Sequence, residues 1–98
     1  MIIVDNTPIE NPFNAEKLGS EINERIFLAI NNLIKEEEFR SPRSFCLRHN
    51  FNYQNVMRLS YPEYNRKPTF ELLFVLSHFY KVNLNWIVTG IGEWKLKK

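Results

Sequence analysis

The chain has 98 residues and a formal charge of +2, with 44% hydrophobic, 14% aromatic and 24% charged side chains. That length supplies one hydrophobic core, which excludes a two-domain arrangement, and the apolar content excludes wholesale disorder. A single cysteine, Cys46, excludes an internal disulfide framework, and His49 and His78 stand without the partners that a structural zinc needs.

Charge divides the sequence more sharply than its total suggests. Residues 1–39 carry a net −5, residues 40–67 a net +5 and residues 68–98 a net +2. An acidic start followed by a basic middle predicts a polarised surface. Outside the N-terminus the longest apolar run, residues 72–76, is five long, against roughly 20 for a membrane span. Met1-Ile2-Ile3-Val4 lacks a basic leader and soon meets Asp5, so it does not read as a signal peptide. The expected compartment is the cytoplasm, with no membrane partner.

Residues 1–19, with Pro8, Pro12 and no sustained period, read as an irregular N-terminal arm, in which Ile2 to Val4 could add a short strand to something. Ser20 is the predicted cap of the first helix, followed by Glu21 and Glu24 at its positive end. Ile22, Ile26, Ile30, Leu33 and Ile34 recur at three- and four-residue spacing and share one face. Glu36 to Glu38 oppose the helix dipole and read as a solvated stop.

Ser41-Pro42 is a cap followed by a first-turn proline, so a short second helix is expected through Phe45 and Cys46 to about His49. Asn50 suits a left-handed position after it. Asn52 then caps a third helix over residues 53–60, with Val56 and Leu59 inward. Two short helices so closely spaced make a helix-turn-helix shape. Residues 61–68 read as a loop. Thr69 caps a fourth helix whose expected core face is Phe70, Leu73, Leu76, Ser77 and Tyr80. A fifth holds Leu84, Trp86, Ile87 and Val88 and stops at Gly90. No strand periodicity stands out between residues 20 and 90, so the expected class is all-α.

Pro68-Thr69, the run Val82-Asn83-Leu84-Asn85-Trp86-Ile87-Val88-Thr89-Gly90 and then Gly92-Glu93 resemble the second half of the phage-repressor (Cro/C1 type, XRE-like) helix-turn-helix family. Ser41, the Phe45-Cys46 pair, Asn50-Phe51-Asn52 and the inward Val56 and Leu59 resemble its first half more loosely. The likeness covers about residues 21–93. Tyr53 replaces a frequent Gln, Asn50 the turn glycine and His49 an apolar residue, and the loop before Pro68 is about two residues longer than usual.

The resemblance implies a compact five-helix, lambda-repressor-like DNA-binding domain over residues 20–92, followed by a basic tail at 93–98. It implies sequence-specific binding of double-stranded DNA by a homodimer, as in a small transcriptional repressor or phage-type regulator. With Val56 and Leu59 inside, Tyr53, Gln54, Asn55 and Arg58 are the candidates for base contact. Gln and Asn can pair with adenine and Arg with guanine in the major groove. Arg43, Asn52, Arg66 and Lys67 are the candidates for phosphate anchoring. By analogy with the family, Trp86, Ile91 and Trp94 would contribute to dimerisation. The same fold also serves as a protein-interaction module or an antitoxin, so a protein partner stands as the alternative. No nucleophile–base pair or phosphate-cradling glycine loop appears, so neither an enzyme nor a cofactor or metal is expected.

Overall fold

The structure, a computed structural model, describes Asn6, Pro8 and residues 14–97. The readings that fall on the rest of residues 1–13, including a strand at Ile2 to Val4, lie outside the described residues. The described residues form a five-helix all-α domain: α1 (Ala15–Lys35), α2 (Pro42–Arg48), α3 (Tyr53–Met57), α4 (Phe70–Tyr80) and α5 (Leu84–Thr89). Two single 3-10 turns, Arg58–Ser60 and Pro62–Tyr64, join α3 to α4. No helix among the described residues is long and apolar enough to cross a membrane.

α1 begins earlier than the sequence suggests. Asn14, not Ser20, is the cap: its side chain accepts from the Lys17 amide at 3.0 Å, and its carbonyl accepts from Leu18 at 2.9 Å. Ala15, Glu16, Lys17 and Leu18 are strong helix formers, so the helix continues through Gly19 and Ser20. The last residues of the presumed arm are therefore helical. The other end matches expectation. Glu37 takes a left-handed φ of 65°, and the amides of Glu37 and Glu38 turn back to the carbonyls of Ile34 and Leu33 at 2.9 and 3.0 Å. That pairing satisfies the last carbonyls of the helix and stops it.

The core forms where the inward faces meet. Ile26, Ile30 and Leu33 of α1 pack with Phe45 and Cys46 of α2, Val56 of α3, and Leu72 and Leu76 of α4. Ile87 of α5, Leu59 of the first 3-10 turn and Val82 complete it. Each fully buried large aliphatic or aromatic side chain contributes about 1.5–3 kcal/mol relative to exposure. The expected core face of α4 needs one correction. Phe70 is 86% exposed, and the inward residues are Leu72, Leu76 and Tyr80 with Leu73 half-buried. The segment is apolar on every side, so its periodicity cannot fix the phase. Thr69 accepts from the Leu72 amide at 3.2 Å, which makes Phe70 the first residue of the helix.

α5 is held by α1. Arg25 Nε–H donates to the Ile87 carbonyl at 2.6 Å and Nη2–H to the Val88 carbonyl at 3.2 Å, so one guanidinium serves two carbonyls at the end of α5. Gly90 follows with φ +77°; a Cβ there would be strained and would stand 3.2 Å from the same guanidinium. The chain then folds back. The Asn83 amide donates to the Trp94 carbonyl at 2.8 Å and the Leu96 amide to the Lys81 carbonyl at 2.7 Å, giving an isolated antiparallel bridge between Val82 and Lys95. Lys95 also reaches Glu36 at 2.6 Å. The segment read as a basic tail is thus paired to the α4–α5 corner through residue 96.

Candidate nucleic-acid interface

α2 and α3 take the helix-turn-helix shape through two local devices. Ser41 accepts from the Ser44 amide at 3.1 Å and opens α2. At its other end Asn50 has φ 59°, while the Phe51 amide donates to the Cys46 carbonyl at 2.8 Å and the Asn50 amide to Leu47 at 3.3 Å. That left-handed residue reverses the chain without a glycine. Asn52 Oδ1 then accepts from the Asn55 amide at 3.0 Å and starts α3.

The α3 segment keeps its inward face through residue 60, although it tightens from α to 3-10 geometry at Arg58. Val56 and Leu59 are each 7% exposed. Gln54 and Asn55 are exposed on the other side, and Arg58 is half-exposed. Arg58 is not a free arm: its Nη1–H donates to Asn55 Oδ1 at 3.0 Å. Two candidate base-reading side chains therefore form one unit, an arrangement allowed by their three-residue spacing.

Tyr53 is half-buried against the core cluster, and the Arg43 guanidinium lies over its ring at 4.2 Å from the centroid. The contact ties a candidate phosphate residue of α2 to the first residue of α3. Tyr53, Gln54 and Arg58 share a shallow recess with Tyr61 and Tyr64, whose rings meet edge to face at 6.1 Å. Asn52 and Asn55 share a second recess with Arg66 and Lys67, so the loop cations lie beside the start of α3. Since its Oδ1 is committed to the cap, Asn52 has its Nδ2 group left for a further contact. Among the described residues the ion pairs are Lys95–Glu36 and Lys97–Glu93. Neither involves a cation of the basic middle segment.

The residues assigned to dimerisation divide. Ile91 is 69% exposed, whereas Trp86 and Trp94 are half-buried and packed against their own core. Leu84 and Val88 of α5 are exposed alongside. The Arg43–Tyr53 stack, and the hydrogen bond that Asn23 Nδ2–H donates to the Arg66 carbonyl at 2.9 Å, were not foreseen. Neither had a sequence signal: Arg43 lies in the first turn of α2 and Tyr53 begins α3, so their meeting depends on how the two helices cross.

His49 closes α2 within an aromatic cluster that includes Phe39, Phe45, Phe51, Phe79 and Tyr80. Its Nε2 lies 2.5 Å from the Tyr80 hydroxyl. Burial, then the charge of Arg48, pushes the His49 pKa down, and burial is the main cause raising that of Tyr80. With the ring neutral, the phenol donates to Nε2. The folded state thus disfavours the imidazolium relative to the unfolded chain, whose histidine titrates near 6.5. Its contribution is complete above that value and is lost as pH falls below it. We expect the urea midpoint to decline from pH 7 to pH 5 more steeply in the native chain than in His49→Gln, which keeps an acceptor for Tyr80 but does not titrate. Parallel declines would mean that other groups set the acid sensitivity. Cys46 is 1% exposed and its thiol pKa is raised by burial, partly offset by Arg43, which suits an inert core side chain.

Comparison of the chain with protein-family models, curated proteins and solved structures gave no match.

Proposed function

We propose that this protein binds double-stranded DNA sequence-specifically through the outer face of α3, acting as a homodimer and as a small cytoplasmic transcriptional repressor or phage-type regulator. The observation that carries the reading is the separation of faces on one short segment. Val56 and Leu59 are buried while Gln54 and Asn55 are exposed and Arg58 is held at Asn55. Side chains of these types have the donors and acceptors to read adenine and guanine edges in the major groove. Arg43, Arg66 and Lys67 flank the segment and supply positive charge for phosphates. A single module offers a small interface; pairing two would set the α3 segments about 34 Å apart on a near-palindromic site.

Binding of a random duplex pool at about 50 and 200 mM salt tests this reading. Six or more phosphate contacts over a dimer predict a loss of affinity of about 10³-fold or greater across that range. No binding at the lower salt would remove the DNA reading. Specific observations favour a second reading, a protein-interaction module or antitoxin. Phe70 and Phe74 are 86% and 58% exposed on α4, and the Phe74 ring stacks on His78 at 4.9 Å. Exposed aromatics one helical turn apart suit a protein partner.

A further inference from the structure

The two 3-10 turns after α3 hold an aromatic pair beside the proposed base-reading side chains. Leu59 anchors the first turn in the core, and the Tyr61 amide donates to the Arg58 carbonyl at 3.2 Å. In the second turn the Tyr64 amide donates to the Tyr61 carbonyl at 3.1 Å and the Asn65 amide to the Pro62 carbonyl at 3.0 Å. Asn65 then ends it with a left-handed φ of 47°. Tyr61 and Tyr64, 49% and 53% exposed, thus stand on backbone that is already ordered, with their rings edge to face at 6.1 Å. They share a recess of about 280 Å³ with Tyr53, Gln54, Met57 and Arg58. Among the described residues Arg58 is the single charged side chain that lines it; Glu63, between the two tyrosines, does not.

That lining sets three tyrosine rings and a thioether around two polar heads. Such surface favours an apolar visitor, which releases the water in contact with it. In the major groove every base pair offers hydrogen-bond donors or acceptors, but of the four unmodified bases thymine alone offers an apolar group, its C5 methyl. We propose that this recess seats the C5 methyl of a thymine next to the base that Arg58 contacts, with Tyr61 and Tyr64 as specificity-determining residues outside α3. The inference rests on the proposed DNA reading and extends it by one base pair per half-site. A volume of about 280 Å³ admits the methyl with the pyrimidine edge that bears it, the share of one water being about 30 Å³. Arg58 does not compete for the space: its 3.0 Å bond draws the guanidinium toward Asn55, which is not part of the lining.

The test starts from the preferred duplex that the full native chain selects from a random pool. Each thymine in it is replaced in turn, in both half-sites, by deoxyuridine, which removes the methyl and keeps every hydrogen-bonding group. Native affinity should fall by about four-fold per half-site at one thymine, within one base pair of the position that Arg58→Ala relaxes. Tyr61→Ala and Tyr64→Ala, both at exposed side chains, should lower affinity for the thymine site and shrink the thymine–uracil difference below about two-fold. Tyr64→Phe keeps the ring and should keep the difference. Native binding indifferent to every replacement, a difference that survives both alanine variants, or alanine variants that weaken all sequences alike would overturn the proposal and leave the DNA reading standing. Absence of any preferred site would remove the DNA reading and this inference with it.

Discussion

Phe45→Ala is expected to lower the stability of the domain by about 3–5 kcal/mol, a large part of the roughly 5–15 kcal/mol that a domain of this size possesses. Phe45 is fully buried and belongs to the α2 half of the helix-turn-helix. Its ring meets Phe39 edge-on at 5.1 Å, stacks on Phe51 at 5.9 Å and lies 5.3 Å from His49. Those neighbours are rings with few alternative rotamers, so they cannot collapse far into the space left behind, and the cost belongs at the upper end. Chemical denaturation measures it. A loss below about 1 kcal/mol would mean that the aromatic cluster does not hold α2 in place.

The second large effect concerns α3 and follows from the proposed DNA reading. Arg58→Ala should cost about 1–3 kcal/mol of discrimination at one base position. Arg43→Ala should weaken all sequences alike and reduce the salt slope by about one. The 3.0 Å bond between Arg58 and Asn55 adds a sharper expectation. Removing Asn55 also releases Arg58, so the two alanine variants should be non-additive, with a coupling of about 0.5–3 kcal/mol in a double-mutant cycle. Affinities over a panel of duplexes provide the data. Indistinguishable profiles for Arg43→Ala and Arg58→Ala would contradict this division of labour.

Much of this architecture is legible in the residues because its signals are local. Ser41-Pro42, Asn52 and Thr69 begin helices where short polar side chains can accept from amides three residues on. Asn50 and Gly90 end them with left-handed backbone. The outward placement of Gln54 and Asn55 likewise follows from the spacing of Val56 and Leu59. The misreadings arise where local signals compete or vanish. Gly19 and Ser20 resemble a boundary, yet Asn14 offers an earlier cap followed by stronger helix formers. Phe70 resembles core because its helix is apolar all round. The pairing of Lys81 and Asn83 with Leu96 and Trp94 depends on backbone groups, which leave no mark in a Lys-rich sequence. At the candidate interface, the stack of Arg43 on Tyr53 needs the α2–α3 crossing geometry, which no sequence period carries.

The proposed function rests on one claim: that the outer face of the α3 segment reads bases, while the cations around it hold the phosphates. Selection of preferred sites from a random duplex pool, run in parallel with the native chain and with a variant carrying Gln54→Ala, Asn55→Ala and Arg58→Ala, tests it most directly. The native chain should enrich a two-fold symmetric site with half-sites about 10 base pairs apart, and the variant should keep salt-sensitive binding without a preferred sequence. Enrichment of the same site by both proteins, or of no site by either, would contradict it.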